Sequence, residues 1–140
     1  MLIGLGDIHN DRMVDDIEKV VVHLSETLFH DIDHDIISVA FETKTDMEVD
    51  GFCTQEDEFD YTIELRSDLR NEELERTIIH ELVHIWQYVR GDLAQEHIDG
   101  LGPRMVWMGE DMTSVDYNDR PWEQQAVVLE ERYYNELISA

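Results

Sequence analysis

Residues 77–91, TIIHELVHIWQYVRG, are apolar enough to lie at the centre of a fold, yet they carry His80, Glu81 and His84 in their midst. Polar side chains buried without partners are costly, so any structure that buries this stretch must satisfy all three. The apolar positions recur at helical spacing. Leu74, Ile78, Leu82, Ile85 and Val89 form one stripe, and Ile79, Val83 and Trp86 widen it, which predicts a central helix over residues 71–90 with Gly91 as its stop. His80 and His84 fall on the narrow sector that remains.

Upstream, Val14, Ile17, Val21, Leu24 and Leu28 predict a helix over residues 11–29, with Asn10 as its cap. DIISVAFET (35–43) is short and rich in β-branched residues, and DYTIELRS (60–67) alternates Tyr61, Ile63 and Leu65 on one face, so both read as strands. MEVDGFCT between them reads as part of a hairpin turning at Asp50-Gly51. Residues 99–120, with three glycines and a proline, read as loop. A last helix is expected over residues 121–138, opening on Pro121 and burying Trp122, Ala126, Leu129 and Tyr133. The expected class is α+β: an N-terminal helix, a small antiparallel-rich sheet, the central histidine helix and a C-terminal glutamate helix. At 140 residues this is one domain, 1–140.

Charge narrows the function. The chain carries 34 acidic residues against 10 basic ones, a formal net charge of -24. A surface this acidic repels nucleic acid and anionic membrane, so neither is an expected partner. The acids are spread along the chain, which favours a solvated surface over an interaction tail; attraction of basic partners and mimicry of nucleic acid are the alternatives. The single cysteine, Cys53, excludes an internal disulfide framework and suggests a reducing compartment. LIGLGDIHNDR after Met1 has no basic region and too short an apolar run for a signal peptide, and no segment reaches the roughly 20 apolar residues of a membrane span. A cytoplasmic location is the expectation.

His80-Glu81-Leu82-Val83-His84 is an H-E-x-x-H pattern. Residues four apart share a helix face, so both imidazoles can reach one tetrahedral ion. Glu81 lies about 100° around from His80, too far to be an equal ligand but placed to take a proton from water at the ion. Five residues of pattern arise by chance; the setting, an otherwise apolar helix centre, strengthens the metal reading. A third ligand is required. The elongated motif would place Gly and His at positions 87 and 90, where this chain has Gln87 and Arg90, which excludes the three-histidine pattern. RPWEQQAVVLEE offers Glu123 in the first turn of the last helix, three residues before the small Ala126, which permits close helix approach. Glu130 or Tyr134, on the same face, would support the site. The plain alternative for Glu123 is a glutamate favoured by the helix dipole. Competing third ligands are His97, Asp92 and Asp99, just after the histidine helix, and Glu110 or Asp111 further on.

HELVHIWQYVRG followed by RPWEQQA resembles the gluzincin group of zinc metallopeptidases, and is most similar to its minimal single-domain forms, the minigluzincins, including small phage and bacterial proteins of that type. The resemblance covers most of the 140 residues in element order. It implies zinc held by His80, His84 and Glu123, Glu81 as general base, and hydrolysis of a peptide or protein substrate. An oxyanion donor is also needed. Tyr117, Tyr134 and His97 are candidates, and Tyr117 is preferred because it stands just before the glutamate helix; packing is the ordinary role of such a tyrosine. The strand ending near Ser67 is a candidate for holding an extended substrate by edge pairing.

Other signals are weaker. HDIDH places His30 and His34 four apart, but between elements rather than on one helix face. DMEVDGFCTQED departs from a calcium loop at its third and twelfth positions and is flanked by strands. Trp86, Trp107 and Trp122 are most simply anchors. Three functions from different classes follow: a zinc-dependent metallopeptidase, a non-catalytic zinc-stabilised binding module, and an acidic inhibitor mimicking nucleic acid.

Overall fold

The computed structural model describes residues 1–100 and 102–140. Its elements are β1 (Leu2–Gly4), α1 (Asp11–Glu26), β2 (Ser38–Lys44), β3 (Gly51–Asp57), β4 (Asp60–Arg66), α2 (Asn71–Arg90), β5 (Leu93–Ile98), β6 (Gly102–Trp107), β7 (Glu110–Asp111) and α3 (Pro121–Ser139). Single 3-10 turns occupy His34–Ile36 and Tyr117–Asp119. The class is α+β. Among the described residues, no helix is long and apolar enough to cross a membrane.

α1 begins where its cap predicts. The Asn10 side chain accepts hydrogen bonds from the backbone N–H groups of Arg12 and Met13, satisfying donors that the first turn leaves open. Asn10→Ala is expected to cost about 1 kcal/mol of unfolding free energy in a urea titration; an unshifted midpoint would mean the cap contributes nothing. Met13 and Val20 join Ile17, Val21 and Leu24 on the buried face. The helix stops at Glu26 rather than 29, yet Leu28 and Phe29 remain buried in the turn that follows.

The larger sheet has the order β1-β2-β4-β3. Its topology corrects the expected hairpin at Asp50-Gly51. β2 pairs with β4 in parallel, and the hairpin is β3–β4, turning at Glu58 and Phe59, while Gly51 opens β3. Tyr61, Ile63 and Leu65 are fully buried on one face of β4, whose two edges are paired by β2 and β3. It pairs Val39 and Phe41 of β2 against Tyr61 and Ile63. β3, which ends in Glu56 and Asp57, takes the outer position, where charge blunts an open edge.

Residues 99–120 also depart from expectation. β6 and β7 lie here and join β5 in a second, wholly antiparallel sheet of order β5-β6-β7. Gly100 and Gly109, at φ 83 and 85°, lie in turns between short strands, and Gly102, at φ 77°, opens β6. Loop-like composition here marks hairpins.

α2 spans the predicted residues and ends on Gly91 at φ 81°. Leu74, Ile78, Ile79, Leu82, Val83 and Ile85 are buried in the main core, which also takes the inner faces of α1, β2, β4 and α3. α3 lays Ala126, Tyr133, Tyr134 and Leu137 on that core, while Trp122 packs with Leu93 and Trp107 in a smaller cluster. β3 approaches α2 so closely that a Cβ on Gly51 would stand 2.6 Å from Thr77 Cγ2 and 3.2 Å from Glu81 Cγ. We predict that Gly51→Val costs about 1–3 kcal/mol by overpacking and displaces Glu81. Native stability in that variant would show that the strand moves freely away from the helix.

Candidate metal centre

α2 and α3 meet where α2 carries its polar residues. His80 Nε2 lies 3.0 Å from Glu123 Oε2, and His84 Nε2 lies 3.0 Å from Glu123 Oε1. The imidazoles are 4.9 Å apart between centroids and nearly perpendicular, at 84°. One ligand atom from each of His80, His84 and Glu123 lies within 4.8 Å of the others, and among the described residues no other group does this. The close helix contact is made possible by Ala126, which is fully buried. Glu123 comes from the first turn of α3 behind Pro121, on a rigid element rather than a loop.

The outer ring nitrogens are also tied. Glu130 Oε1 accepts from His80 Nδ1 at 3.1 Å. Gln87 Oε1 accepts from His84 Nδ1 at 2.8 Å. The orientation of the Gln87 amide follows from its surroundings, because its NH2 group donates to the Trp122 carbonyl at 2.9 Å and to Gln125 Oε1 at 2.8 Å. A backbone carbonyl only accepts, so Gln87 must present its oxygen to His84. His84 therefore carries hydrogen on Nδ1 and aims Nε2 inward. Gln87 is fully buried and was legible only as a departure from the elongated motif; its position three residues after His84, on the same face, is the signal that marks it. Gln87→Leu is expected to weaken zinc binding about 10–100-fold with the fold retained, read by competition with a chromogenic chelator. Unchanged affinity would show that His84 needs no such orientation.

Carboxylates dominate the field. Burial lowers the His80 pKa, but hydrogen bonds to Glu123 and Glu130 outweigh it and push the imidazole up to about 10. His84 is raised too, against its burial, by Glu123 and Glu81. Burial opposes ionisation of Glu123, yet the two histidines hold it well below the usual carboxylate range. Glu81 is raised by burial, with His84 and His80 opposing. The same carboxylate and imidazoles could hold a divalent cation in place of the Nε2 protons. Two imidazole nitrogens and a carboxylate, with tied outer partners and one open side, fit zinc.

The open side is a cleft of about 840 Å³ lined by Gly51, Cys53, Tyr88, Leu93, Met105 and Trp122 as well as the centre. Glu81 is 6% exposed and borders it. Tyr117 is 58% exposed, lines the cleft and donates its hydroxyl to Glu123 Oε2 at 2.9 Å.

The other candidates lie elsewhere. Tyr134 packs under the Arg76 guanidinium, 4.3 Å from its ring centre, and does not line the cleft. His97 borders a separate cavity, Asp92 pairs with Arg90, and Asp111 accepts from Thr113. Asp99 lies in the turn after β5 and Glu110 in β7, outside the triad. His30 bonds the Thr27 carbonyl and His34 the N-terminal amine, so they share no site. The acidic stretch 46–57 runs into β3, and none of its residues belongs to the metal-holding group found among the described residues. Trp107 and Trp122 pack together at 6.3 Å, and Trp86 lies under Arg90. Comparison with protein-family models, curated proteins and solved structures finds no match for this chain.

Proposed function

We propose that the protein is a cytoplasmic zinc-dependent metallopeptidase of the gluzincin type, with His80, His84 and Glu123 as ligands. The observation that carries this reading is the convergence of two Nε2 atoms and one carboxylate, within 4.8 Å of one another, on the wall of an open cleft. Zinc held by His80, His84 and Glu123 would supply a Lewis acid that makes water acidic near neutral pH. Glu81, next to the ligand His80 but outside the triad, would take a proton from the water whose oxygen adds to the scissile carbonyl carbon, and pass it to the amine released as the C–N bond breaks. Tyr117, released from Glu123, donates its hydroxyl to the oxygen on which charge develops. Edge pairing with substrate falls to β3 rather than to β4, the strand ending near Ser67, because β4 lies between β2 and β3.

A non-catalytic zinc module would close the coordination shell with a fourth protein ligand. Three groups and an open cleft among the described residues favour the enzyme. The test joins metal analysis to a digest of an unbiased peptide library. We expect one zinc per chain, and about 4 kcal/mol of added stability when free zinc exceeds its dissociation constant a thousandfold. Cleavage should require the metal-loaded protein. A preparation that neither takes up zinc nor gains stability from it would overturn the metal reading, and zinc without any cleavage would leave the binding module.

A further inference from the structure

The candidate centre lies at one end of a longer slot. β3 is the outer strand of the larger sheet and β5 the outer strand of the smaller one, so each offers a row of backbone groups with no strand beside it among the described residues. The two edges border two adjoining cavities. The cleft at the centre takes residues 51–54 from one side and Leu93 and Gln95 from the other. A second cavity of about 310 Å³ takes residues 55–58 and 95–97. Gln95 borders both. Both strands leave the centre in the same chain direction, so the slot runs from His80 and Glu81 toward Asp57 and His97.

Its chemistry changes along that path. Phe52, Leu93, Met105 and Trp122 make the near end apolar. Glu56, Asp57, Glu58 and Glu96 line the far end with Gln55, Gln95 and His97, and neither Lys nor Arg is among its lining residues. The net charge of -24 adds a field of the same sign. We propose that the slot takes an extended basic peptide segment, laid as a strand between the edges of β3 and β5, with a Lys or Arg side chain held by the far-end carboxylates. The place of the scissile bond rests on the hydrolase reading; the charge preference of the slot does not. An extended chain advances about 3.3 Å per residue, so the five steps from Gly51, beside Glu81, to Glu56 set the basic residue about five positions from the scissile bond. Acidic walls of this kind raise the local concentration of a cationic segment by roughly tenfold or more at low salt.

The experiment uses the zinc-loaded full chain and matched peptides built around its best-cleaved bond. A single Lys, Ala or Glu is moved position by position along both flanks. Lys about five residues from the bond should raise kcat/KM roughly tenfold over Ala, with Glu below Ala. The Lys-to-Ala ratio should fall to about one in the Glu56→Lys, Glu96→Lys double variant. A ratio near one in the native protein, or one that survives the charge reversal, overturns the slot. If no peptide is cleaved, fluorescent extended peptides of one neutral sequence, differing only in a Lys or Glu placed at each position in turn, are titrated into the zinc-loaded protein. Tenfold tighter binding of the Lys series than the Glu series, lost on charge reversal, upholds the slot while the hydrolase reading falls. No such preference overturns both.

Discussion

Glu81→Gln is expected to keep its zinc and lose hydrolysis, by about 10²–10⁴-fold in kcat/KM and more if no other group takes the proton. The separation follows from position. Glu81 stands outside the His80, His84 and Glu123 triad, so its loss removes no ligand. Glutamine has the same shape and fits the same space beside Gly51, where a clash would otherwise confuse the result. What it lacks is the ability to accept a proton and return it. Stability should move the other way: Glu81 is raised by burial, so replacing a buried carboxylate with a neutral amide is expected to leave the fold as stable or more so. Zinc content by mass spectrometry, kcat/KM on a fluorogenic peptide and a urea midpoint together check the prediction. Native activity in the variant would remove Glu81 as general base.

Local signals carried far in this chain. α2 announced itself by periodicity and by Gly91, α1 by Asn10, α3 by Pro121, and β4 by strict alternation, because each of these features is fixed by residues within a turn or two. The misreadings share a cause. The β2–β4 pairing joins strands separated in sequence by β3, while Asp50-Gly51 looked like a local turn. The glycines of residues 99–120 resembled loop composition because hairpin turns and loops draw on the same residues. β1, only three residues long, lacks a pattern to detect. The centre divides in the same way. His80, Glu81 and His84 are legible in one helical turn, and Glu123 follows from Ala126 and the need for a third ligand. Gln87 became visible only when Trp122 and Gln125, from another helix, fixed its amide.

Glu123→Ala should weaken zinc binding by two to three orders of magnitude, and His97→Ala should leave it nearly unchanged. Binding energies of about 10–16 kcal/mol for four-ligand structural zinc sites make each ligand worth roughly 2.5–4 kcal/mol, or about 70- to 900-fold. Both Glu123 oxygens face the centre, one on each inward Nε2 at 3.0 Å. Glu130 is the nearest alternative carboxylate, but it is already held by His80 Nδ1, on the outer side of the ring. His97 borders the other cavity and stands outside the triad. Removing Glu123 also leaves two imidazoles and the Tyr117 hydroxyl without their acceptor, which itself threatens the fold. Glu123→Gln separates the two effects: it keeps the shape and an acceptor while offering zinc only a weakly binding amide. Loss of affinity in Glu123→Gln with a native urea midpoint assigns the ligand. Native affinity in both Glu123 variants, with loss in His97→Ala, would make His97 the third ligand and end the likeness to gluzincins.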